Sequence, residues 1–142
     1  MTNGKKTVMA FGVFDLMHVG HRHFLAEAKK LGDYLIVVVA LDQSVACLKG
    51  ITPDDPLQKR VANLKKSGIP DKVLVGDKKQ NSWTCVSRYK PDIIALGYDQ
   101  HQLKLTLLKF LMKNNFSIKC VSISPYETGA THSNVIRKNL KH

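Results

Sequence analysis

Residues 33–42, DYLIVVVALD, form a nearly unbroken apolar run rich in β-branched side chains. Such a run suits a strand covered on both faces, as strands of parallel sheets are; a strand with one wet face would alternate apolar and polar residues. The sequence just before it completes a unit. TVMAFGVF (7–14) is short, apolar and β-rich, while GHRHFLAEAKKLG (20–32) spaces its apolar residues at helical intervals and closes on Gly32. A strand, a helix and a second parallel strand are therefore expected by residue 42.

The alternation continues. Helices are expected at 55–66, 81–90, 102–114 and 132–140, and strands at 72–76, 91–97 and 117–123. Five strands alternating with five helices predict an open, mostly parallel, Rossmann-like α/β sheet with helices on both faces. At 142 residues and 44% apolar content the chain fits a single domain over 1–142, with 1–6 and 141–142 as flexible ends. No internal repeat or linker divides it. Ligands of such sheets bind beyond the carboxyl ends of the strands, where strand order reverses. The windows to inspect are Gly12–His21, Ala40–Gly50, Gly76–Lys79, Gly97–Gln100 and Ser124–Ser133.

Charge narrows the partners. Lys and Arg number 22 against 11 Asp and Glu, a formal +11 with a pI near 9.7, which favours anionic ligands. The lysines fall in small clusters (Lys5-Lys6, Lys29-Lys30, Lys65-Lys66, Lys78-Lys79) that read mostly as solvated helix faces and loops. Cys47, Cys85 and Cys120 are odd in number and far apart, without metal-site or disulfide spacing, so a reducing cytoplasm is expected. The longest apolar run, 35–41, is far too short to span a bilayer, and no signal-peptide pattern follows the N-terminal lysines. The expectation is a cytoplasmic protein without a membrane partner.

The turn after the first strand carries the unusual chemistry: Gly12, Val13, Phe14, Asp15, His18, Val19, Gly20 and His21. A helix expected to start near Val19 offers unpaired N–H groups and partial positive charge, which seat phosphate. Two imidazoles beside it add donors that strengthen as charge builds on a leaving phosphate. Gly20 between them lets backbone and phosphate approach closely. Zinc ligation is the weaker reading, because helical zinc histidines usually stand four apart with a third ligand, and no cysteine or carboxylate cluster is near. The three-glycine dinucleotide fingerprint and the lysine-bearing phosphate loop are both absent. His23, His101 and His142 read as ordinary packed or surface residues.

GVFDLMHVGH (12–21) resembles the signature of the nucleotidylyltransferase superfamily, a G-x-F-D segment followed by H-x-G-H, which includes cytidylyltransferases and several adenylyltransferases. The likeness runs from Thr7 to Arg137, and PDIIALGYDQ (91–100) is similar to a segment of archaeal-type FAD synthetases. It implies that His18 and His21 bind a nucleoside triphosphate and stabilise the transition state. It further implies Lys49 as a phosphate and acceptor ligand, Arg60 as a catalytic arginine, and Asp99 with Gly97 as nucleotide ligands. Thr131, Ser133 and Arg137 would hold phosphates from a C-terminal turn, and Tyr126 would meet the acceptor. Val13, Leu57 and the THSN turn (131–134) depart from the usual pattern.

The chemistry so implied is in-line attack by a substrate phosphate on the α-phosphorus of a nucleoside triphosphate, which asks mainly for positioning and charge stabilisation. Mg²⁺ would accompany the triphosphate without a dedicated carboxylate cage, Asp15 touching it or capping the turn. The first expectation is transfer of AMP from ATP to FMN, giving FAD and pyrophosphate; a second keeps the chemistry but pairs CTP with glycerol 3-phosphate. A basic module that binds nucleic acid without catalysis is the rival from another class, weakened by the lack of aromatic-studded basic strands, so no nucleic-acid partner is expected. Relatives of this kind are commonly dimers, which implies a homodimer. Tyr98 and Trp83 read first as packing residues.

Overall fold

A computed structural model of the protein describes residues 5–79 and 82–126, apart from the side chains of 47–49. The chain runs β1 (Thr7–Gly12), α1 (Val19–Lys30), β2 (Tyr34–Val39), α2 (Asp42–Lys49), α3 (Leu57–Ser67), β3 (Lys72–Val75), α4 (Thr84–Tyr89), β4 (Ile93–Gly97), α5 (His101–Lys113) and β5 (Lys119–Ile123). The strands are all parallel, in the order β3-β2-β1-β4-β5. Successive crossovers move outward from β1 to β3, then return to its other side for β4 and β5. The order therefore reverses between β1 and β4, and the crevice at their carboxyl ends is where a ligand of such a sheet binds.

Both faces of the central strands are covered, as the apolar run at 33–42 requires. Leu35, Val37 and Val39 of β2 pack with Val8 and Ala10 of β1 against Leu25, Ala28 and Leu64 of α1 and α3. Ile36 and Val38 point the other way, with Met9 and Phe11, toward Val86, Leu107 and Leu111 of α4 and α5. Each such side chain contributes roughly 1.5–3 kcal/mol by burial. At the amino ends, carboxylates tie the sheet shut: Asp33 accepts from Lys6 N–H, Asp71 from Leu35 N–H and Asp92 from Thr7 N–H, each at 2.8 Å. With those backbone groups satisfied, the carboxyl edge is left for chemistry.

The structure refines several expected bounds. β1 ends at Gly12 rather than residue 14, because Phe14 already lies in left-handed backbone. β2 ends at Val39, since Asp42 opens a helix, α2, that the sequence reading did not include. Its only buried residue among those described is Val45, so helical periodicity had little to show. α4 begins at Thr84, not 81, and β5 at Lys119, not 117. The expected closing helix at 132–140 lies outside the described residues.

Candidate active site

The turn between β1 and α1 is held open by its surroundings. An added Cβ at Gly12 would lie 2.7 Å from the Phe14 ring, so only glycine lets that ring fold back beneath the strand end. Phe14 (φ 53°) and Leu16 (φ 47°) both adopt left-handed backbone, which costs a non-glycine residue of order 1–3 kcal/mol. Phe14 recovers this by burial, its ring 5.6 Å from His21 and 6.3 Å from Phe24.

His18 and His21 cap α1 reciprocally. The Gly20 N–H donates to His18 Nδ1 at 3.0 Å, and the His18 N–H donates to His21 Nδ1 at 3.3 Å. This is a capping box in which imidazoles replace the usual hydroxyl and carboxylate, and it satisfies two N–H groups that a helix start leaves free. Each Nδ1 is an acceptor, so the ring proton of each sits on Nε2. Neither Nε2 makes a protein hydrogen bond among the described residues. The rings stack at 3.8 Å and 23°, presenting two N–H donors from one place. The three-residue spacing is thus the N-cap to N3 spacing of a helix start, and Gly20 is required between the rings. Its added Cβ would lie 2.9 Å from His18 Cε1 and 3.1 Å from Nδ1. Gly20→Ala is expected to displace the His18 ring and weaken ATP binding about tenfold in isothermal titration, comparable to losing one hydrogen bond to a charged group.

Burial first, and then the neighbouring His18 ring, push the His21 imidazole down from 6.5 to about 4, against the upward pull of Asp15 and Asp99. His21 is neutral at pH 7, and its Nδ1 can accept. The unfolded chain takes a proton near pH 6.5 that the folded state refuses until about pH 4, so this contribution to stability is complete above 6.5 and is lost as pH falls toward 4. The urea midpoint is therefore expected to drop between pH 7 and 4.5, and to drop less in His21→Gln, whose amide oxygen accepts from the His18 N–H but does not titrate.

Arg60, expected as a catalytic arginine, lies against the backbone just past β1 and β2. It is fully buried, and four of its five N–H groups are bonded: Nε donates to Asp55 O at 3.1 Å, Nη1 to Val13 O at 2.9 Å and Ala40 O at 2.8 Å, and Nη2 to Asp42. With the whole side chain buried and only one Nη2 N–H unbonded among the described residues, the structure supports a positioning role for Arg60. Arg60 fixes the ends of β1 and β2 from below. Asp15 does not cap α1, whose N-cap is His18; its two oxygens accept from the N–H groups of Asp54 (2.9 Å) and Asp55 (2.8 Å). Burial raises its carboxyl, but those bonds and the Arg60 charge outweigh that and leave it below the usual range.

Across the crevice, Gln100, inside an expected window but given no role from the sequence, positions the strand ends. Its Oε1 accepts from Gly97 N–H at 2.7 Å while its Nε2 donates to Phe11 O at 2.8 Å, bridging the ends of β4 and β1 at the reversal point. A glutamine closing a strand-turn-helix was the available signal. An added Cβ at Gly97 would meet Asp99 Oδ1 at 3.2 Å, and Asp99 lies near enough to His21 to raise its pKa. The Asp99 carboxylate makes no hydrogen bond among the described residues. Val19 is exposed beside the histidines.

The remaining expected site residues are placed less centrally or not at all. Lys49 closes α2, but its side chain lies outside the described residues, as do Thr131, Ser133 and Arg137 entirely. Tyr126 packs 5.6 Å from His23, whose Nε2 meets Ser124 O at 3.0 Å, which ties it to the far side of α1. Trp83 serves packing, edge-on to Phe11 at 5.2 Å.

A doubly wound sheet whose first crossover opens on two interlocked imidazoles defines an α/β protein of the nucleotidyl-transferring class. The chain belongs to the cytidylyltransferase-like family, whose sequence model matches residues 9–133. It is 42% identical over 127 residues to an FAD synthase of Thermococcus sibiricus, covering 89% of this chain and 85% of that protein. It is 40% identical to an FAD synthase of Thermoplasma volcanium over 94% of this chain and 92% of that one. A crystal structure from Thermoplasma volcanium, described as a lipopolysaccharide core biosynthesis protein, superposes with a TM-score of 0.79 at 41% identity. That match covers 87% of this chain and 100% of that one. No helix among the described residues is long and apolar enough to cross a membrane.

Proposed function

We propose that the protein transfers AMP from ATP to FMN, releasing pyrophosphate and giving FAD. The observation that carries this reading is the reciprocally bonded His18–His21 pair, with both Nε2–H groups unengaged among the described residues, at the start of α1 beside the strand-order reversal. Relatives called FAD synthase, similar over most of the chain, select this member of the class.

A terminal oxygen of the FMN phosphate attacks the α-phosphorus of ATP while the bond to the bridging oxygen of the β-phosphate breaks, and pyrophosphate leaves with that electron pair. The Nε2–H groups of His18 and His21 donate to the oxygens on which charge builds. Gly12, Val13, Phe14, Asp15, Val19 and Gly20 shape the turn, and Gly97, at the end of β4, and Asp99, in the turn after it, complete the nucleotide side. Lys49 on the acceptor phosphate, Tyr126 at the acceptor, and Thr131, Ser133 and Arg137 on the triphosphate complete the assignment. Mg²⁺ borne by the triphosphate would neutralise phosphate charge, and the Asp99 carboxylate, which makes no hydrogen bond among the described residues, could face it. A homodimer in the cytoplasm belongs to the same reading, the free Cys85 and Cys120 thiols being suited to a reducing compartment.

The test is pyrophosphate release with ATP, CTP, GTP or UTP in Mg²⁺, with and without FMN and glycerol 3-phosphate. Release with ATP and FMN alone is expected. Release with CTP and glycerol 3-phosphate in its place would overturn the assignment of both substrates.

A further inference from the structure

A cleft of about 490 Å³ lies between the histidine turn, α1 and α3, and the adenylyl transfer proposed above does not use it. Arg22 of α1 and Lys59 and Lys66 of α3 line it, with Asn63 between the two lysines and Leu16 and Met17 forming the wall on the turn side. Positions 59, 63 and 66 are four and three residues apart, which sets them on one face of the helix.

Among the described residues, the charge in this cleft is not balanced. Lys59 stands 3.9 Å from Asp55, whereas Arg22 and Lys66 have neither an ion pair nor a side-chain hydrogen bond among the described residues. Elsewhere on α1 the lysines are matched, Lys29 with Asp71 and Lys30 with Glu27. Three cations against one carboxylate leave a formal charge of +2. The second observation is Leu16. It pays for left-handed backbone as Phe14 does, yet it is 53% exposed and so gains little burial in return. Strain of that kind at a wall residue points to a contact made with something outside the chain.

We propose that the cleft is a second anion site, binding the phosphate of a small organic phosphomonoester whose apolar part lies against Leu16 and Met17. A phosphomonoester carries close to two negative charges at pH 7 and presents three strong acceptor oxygens. The Arg22 fork, two ammonium groups and the Asn63 amide supply matching donors. No group in this set is assigned to the triphosphate, so the site stands whether or not the nucleotide reading does.

The experiment follows the Arg22 Nε–H and Asn63 side-chain amide signals of the isotopically labelled full chain by NMR. The nucleotide site is held saturated with a non-hydrolysable ATP analogue, and the chain is titrated with phenyl phosphate, inorganic phosphate or benzyl alcohol. Saturable shifts with phenyl phosphate are expected, with inorganic phosphate weaker by roughly fivefold and benzyl alcohol silent. R22Q combined with K66Q should weaken phenyl phosphate at least roughly tenfold at an unchanged melting temperature, while K109Q, on α5, leaves it unaltered. Shifts that fail to saturate, or an equal loss in K109Q, would mean diffuse surface charge and overturn the proposal. Equal affinity for inorganic phosphate would overturn its organic part.

Discussion

His18→Ala is expected to lower kcat/KM for pyrophosphate release from ATP and FMN by about 10²–10³-fold, the usual consequence of removing one preorganised donor from a developing oxyanion. The same change removes the acceptor for the Gly20 N–H, a loss of about 1 kcal/mol, or roughly 4 °C in melting temperature for a domain of this size. The two effects can be separated, because capping needs only an acceptor near the helix start while transfer needs the Nε2–H. His18→Ser keeps the first and lacks the second. Its melting temperature should return close to that of the parent while its turnover stays near that of the alanine variant. A serine variant with substantial activity would show that His18 does no more than cap α1, and the transition-state role would then rest on His21 alone.

That separation explains why the histidine motif was legible in the sequence although its geometry was not. The residues read as phosphate-binding are the ones that cap α1, because a helix start with its N–H groups organised is itself the phosphate seat. The β-branched run of β2 was legible for a similarly local reason, since burial on both faces leaves no polar alternation. Helix α2 was not, for a short helix with one described buried residue has hardly any periodicity to read. The hydrogen-bonding roles of Asp15 and Gln100 escaped for another reason. Their partners lie 39, 40 and 89 residues away in the chain, so their roles exist only once the sheet has formed.

Arg60 is the residue at which motif and structure diverge most, although a trace of its burial was present. Leu57, Val61 and Leu64 set the inward face of α3, and position 60 falls on it. A basic residue on an inward helical face must find several acceptors, and Arg60 finds four, from Val13, Ala40, Asp42 and Asp55.

Arg60→Met should therefore cost about 3–5 kcal/mol in denaturant unfolding, since it leaves buried carbonyls without donors and Asp42 without its cation. The upper end is tempered because the Asp42 side chain is 43% exposed and can recover water. Arg60→Lys should fall between parent and methionine variant, because one ammonium cannot reproduce a fork that bonds in four directions. Activity gives the second half of the test. If Arg60 only positions the turn, releasing Val13 and Ala40 loosens the seat of the triphosphate, so KM for ATP should rise more than kcat falls, with the lysine variant recovering part of both. If instead Arg60→Met melts like the parent and loses kcat alone, the guanidinium must reach the substrate in some state of the enzyme, and the positioning role assigned from its four bonds would be wrong.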